Sequence, residues 1–242
     1  MCYNISAKKE SQELEKRFKV KVVEGVNVTP HFYLSGFNHP KTPVISSIKP
    51  DVIQTFHWGL IPSFCQTIKD AKDMMTKTLN AKSETVFSLP SFKNSIREKR
   101  CMVLVDGFYE WRTIGKQKYP YYIHTKDNEP FAFGGIYNDW VNKETGEIIN
   151  TFSIITTEAN TLMAKIHNVK LRMPLILTRE IEQDWLNPNL NENQINELMK
   201  PLDEGRLEAH TISKLITNRN ENPDKIEVQA PFEYPELAMF DL

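Results

Sequence analysis

The cysteine at position 2 offers a chemistry that no internal cysteine has. Removal of Met1 would leave a primary amine and a thiol on neighbouring carbons of one residue. Such a 1,2-aminothiol meets an aldehyde twice: the amine gives a Schiff base, and the thiol then closes on the imine carbon to form a five-membered thiazolidine. An α-amine titrates near about 7.7–8.0, so a usable fraction is already the free nucleophile at neutral pH. By position alone, the plainer reading is a start codon followed by an ordinary cysteine.

Four further segments combine residue types suited to an aldehyde-handling, DNA-facing pocket. They are Trp58-Gly-Leu-Ile-Pro-Ser-Phe64, Asn80-Ala-Lys-Ser-Glu-Thr85, the run from Arg100 to Trp111 ending Asp-Gly-Phe-Tyr-Glu-Trp, and the run from Ile166 to Leu177 containing His167 and Arg172-Met-Pro174. With the early cysteine, they resemble the SOS response-associated peptidase family of abasic-site processing proteins. That family's patterns are Met-Cys-Gly-Arg, Trp-Gly-Leu-Ile-Pro, Asn-Ala-Arg-x-Glu-Thr, Asp-Gly-Phe-Tyr-Glu-Trp and His-Asp-Arg-Met-Pro. The match runs in order from residue 2 to about 177, with a weaker echo at 216–223.

The resemblance implies a catalytic set of Cys2, Asn80, Glu110 and His167. Cys2 would be the nucleophile and point of DNA attachment. Asn80 would hold the sugar remnant or the Cys2 backbone. Glu110 would move protons to and from the attacking amine, and His167, which titrates near neutrality, would complete the acid/base set. Lys82 and Arg172 would pair with phosphates beside the lesion. The implied partner is single-stranded DNA with abasic sites, bonded covalently to shield the lesion, with AP lyase and peptidase action as further possibilities. An N-terminal-nucleophile peptidase or amidohydrolase, in which the Cys2 thiol attacks a carbonyl, is the second reading. No cofactor or metal is implied.

Each of these residues also has a plainer role. Glu110 can be a solvated edge charge, His167 a complement to a helix dipole, and Asn80 a cap for a helix over residues 81–87. The chain also departs from the family patterns: Tyr3-Asn4 replaces Gly-Arg, Lys82 replaces an arginine and loses its bidentate fork, and four residues separate His167 from Arg172.

For DNA contact, Trp58 and Phe64 flank a Gly/Pro turn from which an aromatic can stack on an unpaired base; for Trp58 the core is the favoured reading, and for Phe64 both stay open. Lys69, Lys72, Lys77, Lys82, Arg97, Lys99, Arg100, Arg112 and Arg172 form the positive set of the motif-bearing region.

The elements that must position these residues are mainly β. A helix is expected over residues 7–18, then short β pieces at 20–23, 31–34 and 52–58 between prolines. Residues 101–111, 119–125, 131–140 and 148–156 read as a β-meander, because links this short exclude the crossover helices of a parallel sheet. Helices are expected over 158–167 with Thr157 as cap, over 180–186, and over 192–202 with Asn191 and Gln194 at capping-box spacing. The expected fold is α+β, an antiparallel barrel-like sheet core with flanking helices, in a single domain of residues 1–242 whose end, 217–242, is a loop or tail.

Bulk properties fit that picture. The chain has 242 residues, 40% hydrophobic, with 30 Lys+Arg against 31 Asp+Glu, so attraction to nucleic acid must come from a local patch. Cys2, Cys65 and Cys101 have no zinc-site spacing. No run resembles a signal peptide or reaches the roughly 18 apolar residues of a membrane span. A cytoplasmic monomer is expected, where a free Cys2 thiol survives.

Overall fold

The computed structural model describes residues 2–218 and 220–239. Met1, whose removal the Cys2 chemistry requires, Arg219 in the 216–223 echo, and the tail residues 240–242 lie outside them. The elements, in chain order, are β1 (Asn4–Ala7), α1 (Ser11–Phe18), β2 (Lys21–Val22), β3 (His31–Ser35), β4 (Lys41–Ser46), β5 (Lys49–Trp58), α2 (Ile68–Met75), β6 (Asn80–Lys82), α3 (Lys93–Glu98) and β7 (Arg100–Val105). There follow β8 (Gly107–Ile114), β9 (Gln117–Thr125), β10 (Phe131–Val141), β11 (Ile148–Glu158), α4 (Thr161–Ile166), β12 (Arg172–Pro174), β13 (Ile176–Leu177), α5 (Glu182–Leu186), α6 (Glu192–Leu198) and β14 (Leu207–Thr211).

One sheet has the order β14-β9-β8-β1-β3 and is antiparallel throughout. The second runs β12-β11-β10-β7-β4-β5-β2, with β6 and β13 attached to β11 and β10. Strand β5 also pairs in parallel with β11, His57 beside Thr151 and Trp58 beside Phe152, so β11-β10-β7-β4-β5 closes on itself. The expected antiparallel, barrel-like α+β architecture is the one observed. The apolar side chains inside this closure and beneath the first sheet form one cluster that includes Cys2, Ile5, Trp58, Phe108, Phe133, Phe152, Met163 and Ile166.

Several expected boundaries move, each for a local reason. Residues 7–18 divide because Ala7 ends a strand, and Glu10 then caps α1 through a capping box with Glu13. Residues 101–111 are two strands: the chain turns at Asp106, whose N–H donates to Ser6 O at 3.0 Å, and crosses from one sheet to the other. The expected meander is therefore shared between two sheets. At the turn a side chain on Gly107 would meet the Tyr122 ring at 2.4 Å, so only glycine lets β8 pass so close. Strand β11 runs on to Glu158 because it pairs with β12, and α4 begins only after Asn160, which accepts from Met163 N at 2.9 Å. The Asn191–Gln194 capping box forms as its spacing predicts, although α6 ends at Leu198. Asn80 caps no helix; it opens β6, parallel to β11.

Among the described residues no helix is long and apolar enough to cross a membrane. Nor does any group of three or more His, Cys, Asp and Glu gather there as a metal site.

Candidate active site

Cys2 enters the fold just ahead of β1, the strand held between β3 and β8. Ile5 lies opposite Phe108 and Ser6 opposite Gly107. Alternation along β8 puts Glu110 on the face of Phe108, toward the cluster that holds Cys2, while Tyr109 and Trp111 face the opposite layer. Helix α4 packs across β8 and delivers His167 at its C-terminal cap.

The geometry is tight. His167 Nε2 lies 3.8 Å from Glu110 Oε2. His167 Nδ1 lies 2.8 Å from Arg172 O. A carbonyl only accepts, so Nδ1 carries the proton and the Nε2 lone pair faces Glu110. Asn80 reaches in from β6, its Nδ2 donating to Cys2 O at 2.8 Å. Its Oδ1 is buried and accepts no hydrogen bond among the described residues. Strand β6 is itself pinned by Trp58, whose indole N–H donates to Leu79 O at 2.8 Å.

Burial sets the protonation states. It pushes the Glu110 carboxyl up to about 8, so this acid is mostly protonated at neutral pH. It pushes the His167 imidazole down to about 4, leaving a neutral ring. The Cys2 side chain is fully enclosed, and burial together with the nearby Glu110 charge raises its thiol far above the ordinary range. Its Sγ lies 3.8 Å from Asn4 O. The site therefore rests with a neutral acid, a neutral imidazole and a thiol rather than a thiolate. Beside it opens a cavity of about 600 Å³, lined by Tyr3, Glu110, Trp111, Lys118, His167 and Lys170 among others.

The structure thus brings Cys2, Asn80, Glu110 and His167 together. The four residues expected to meet DNA are placed differently. Trp58 is a core residue, stacked on Phe152 with centroids 6.1 Å apart, and cannot reach a base without leaving the core. Phe64 is half exposed but lines a separate cavity with Asp70, Asp73 and Lys77. Lys82 is exposed at the end of β6. Arg172 is engaged by a carboxylate instead of standing free for phosphate: its Nη1 and Nη2 both pair with Glu84, and Nη2 also donates to Thr156 O at 2.6 Å. Arg100, from the positive set, is buried and donates to the carbonyls of Ile96, Arg97, Trp185 and Asn187.

Two features of the site have no counterpart in the sequence reading. Trp58 acts through β6 on Asn80, and Asp106 ties β1 to β8. Asp106 accepts from Ser6 Oγ at 2.6 Å and Lys8 N at 2.5 Å. The Asp-Gly pair lay within a single expected strand over residues 101–111, and neither the turn nor its tertiary partners were visible. The Tyr3-Asn4 departure also acquires a structure: the Tyr3 ring packs on Phe37, and Asn4 Oδ1 accepts from Tyr33 OH at 2.7 Å.

A cysteine at position 2 just ahead of β1, beside a buried acid that faces an imidazole on an antiparallel barrel-like scaffold, matches a known family. The model of the SOS response associated peptidase (SRAP) family matches residues 1–219, and the chain belongs to that family. It is 41% identical over 173 residues to the abasic site processing protein YoqW of Bacillus subtilis (strain 168), covering 70% of this chain and 74% of that one. It is 31% identical over 212 residues to the abasic site processing protein HMCES of Gallus gallus, covering 77% of this chain and 61% of that one. A crystal structure of a protein from Bacteroides thetaiotaomicron superposes with a TM-score of 0.89 at 36% identity, covering 96% of this chain and all of that one.

Proposed function

We propose that this chain processes abasic sites in single-stranded DNA by bonding Cys2, freed of Met1, to the ring-opened deoxyribose aldehyde. The observation that carries the reading is the gathering of Cys2, Asn80, Glu110 and His167 from four separate parts of the chain beside one cavity, whose wall includes Glu110 and His167.

The amine of Cys2 adds to the aldehyde carbon, and the proton it sheds passes to the new oxygen. Protonated Glu110 then donates to that hydroxyl, water leaves, and an imine remains. The Cys2 thiol adds across the C=N bond: sulfur bonds carbon and its proton ends on nitrogen, closing the thiazolidine. The sum is protein plus DNA less one water. Asn80 fixes the Cys2 carbonyl so that amine and thiol are presented together, and its spare Oδ1 can accept from the sugar hydroxyl or the carbinolamine. Water loss on the Glu110 proton first gives the protonated imine, and the Nε2 lone pair of His167 takes that proton and passes it to the Glu110 carboxylate it faces, which restores both groups. If the imine lost its neighbouring carbon-bound proton before the thiol closed, the strand would break, which is the lyase branch.

The protonation states favour the aldehyde reading over the peptidase reading. A peptidase would need a thiolate, and the enclosure of Cys2 opposes it. The amine route needs only a free amine and a protonated acid.

The test is intact-mass analysis of the protein alone and after incubation with an abasic single-stranded oligonucleotide. The expected adduct is the sum of the two masses less one water, and Cys2→Ala abolishes it. An alanine variant that crosslinks as well as the parent would assign the chemistry to another nucleophile. Hydrolysis of a peptide in the absence of DNA would favour the peptidase reading.

A further inference from the structure

Residue 3, beside the nucleophile, carries an aromatic ring where the family pattern has glycine, and that ring is not alone. Tyr3 packs against Phe37 with ring centroids 5.0 Å apart and planes tilted by 34°. The two residues are also tied through the backbone, Gly36 N donating to Tyr3 O at 2.8 Å. Phe37 is 54% exposed, a large apolar ring left facing outward on a short 3₁₀ turn. Tyr3 lines the same cavity as Glu110 and His167, with Lys118 and Lys170 also in its wall.

We infer that the Tyr3 and Phe37 rings form a stacking platform for the unpaired base next to the abasic site, an inference that rests on the function proposed above. The spacing supports it. Successive Cα atoms are about 3.8 Å apart, and successive nucleotides of a stacked strand about 3.4 Å. With the baseless sugar bonded at residue 2, a flanking base falls at residue 3. The occupant is a base rather than a peptide side chain because the same cavity carries two lysines suited to flanking phosphates. Stacking tolerates any base, as a sensor of missing bases requires. Asn4, next along the chain, is engaged with Tyr33 and offers no charge for a phosphate.

Phe37 is the residue to test, since it is exposed and takes no part in the acid/base set. Binding is measured with the full chain and single-stranded oligonucleotides holding an unreactive tetrahydrofuran site, flanked on one side or the other by adenine or by a second tetrahydrofuran. Removing the base on one side is expected to weaken binding by the worth of one stacked base, about 5- to 150-fold. In Phe37→Ala most of that dependence disappears; in Phe37→Trp it persists; the salt dependence is the same in all three. A Phe37→Ala variant that keeps the parent's dependence on the flanking base would overturn the platform. Intact-mass analysis of the same proteins with a reactive abasic strand separates the two ideas: loss of the platform leaves the adduct at saturation, whereas failure of the Cys2 chemistry removes the adduct and leaves the neighbour dependence.

Discussion

Two buried carboxyls sit four residues apart at the junction of β1 and β8, and they have opposite roles. Asp106 is held by Ser6 Oγ and Lys8 N, with Lys8 Nζ 3.9 Å away. Around it Gln229 donates to Ser6 Oγ and Tyr109 OH and accepts from Lys8 Nζ, so a C-terminal turn is locked to β1. Glu110 faces the imidazole and the cysteine. Burial raises both carboxyls, but at Asp106 the donated hydrogen bonds and the lysine pull back, while Glu110 rises to about 8. Similar enclosure thus produces a structural anchor where donors surround the oxygens, and a proton donor poised near neutrality where they face another titrating group.

The contrast can be broken at either end. Glu110→Gln removes the proton donor while keeping the shape, and adduct formation with an abasic strand is expected to slow by about 100-fold or more, with unfolding free energy at pH 7 unchanged or higher. Asp106→Asn should do the reverse. Urea unfolding is expected to show a loss of about 3 kcal/mol from the broken charge-assisted bonds, while the rate per folded molecule stays within a few-fold. If the stability loss fell on Glu110→Gln instead, the assignment of roles would be inverted.

The pH dependence sharpens the same comparison. Adduct formation needs a free α-amine, titrating near about 7.7–8.0, and a protonated Glu110, titrating near about 8. The rate should rise to a maximum in that region and fall above it, and Glu110→Gln should lose the alkaline fall. Stability follows by linkage. Glu110 holds its proton more tightly folded than unfolded, so its contribution is present below the ordinary carboxyl range and is lost as pH rises from about 4.5 to about 8. His167 is depressed from 6.5 to about 4, so its contribution is present above about 6.5 and is lost as pH falls toward 4. The two oppose each other in mildly acid solution, and only the Glu110 slope remains above it. Urea titrations of the parent and Glu110→Gln across pH 5–9 should separate progressively up to about pH 8 and run parallel above it.

Smaller effects come from the positioning groups. Asn80→Ala frees the Cys2 carbonyl and should slow the reaction by about 10-fold, the worth of one well-made hydrogen bond to a positioned group. Restoration of the rate by Asn80→Gln would place the effect in the amide. Gln229→Ala, on the anchor side, should cost about 1 kcal/mol in urea unfolding and leave the pH profile of adduct formation in place.

What the sequence made legible was local. The capping box at Asn191 and Gln194 and the place of His167 at a helix end followed from patterns within a few residues. The division at Asp106 did not, because residues 100–110 are buried almost without interruption on either side of it, and alternation is invisible in a strand buried on both faces. Asn80 read equally as a helix cap because its true partners, Ile154 and the Cys2 carbonyl, lie more than seventy residues away. The partner of Arg172 was in plain view: Glu84 stands two residues beyond Lys82 in the same motif, but only the fold turns it toward the guanidinium. Trp58 kept both its readings until the hydrogen bond to Leu79 O settled it in the core.

The closure of β5 and β6 onto β11 has a bearing on how the molecule is made. Strand β1, close to the start of the chain, is bordered by β3 and β8, and the amide that holds Cys2 sits on a strand secured only when β11 exists. Contacts of such sequence separation form late and slowly. During synthesis the amide that positions Cys2 is therefore secured only after β11 has formed, and the reactive centre is completed with the barrel rather than with the appearance of its nucleophile.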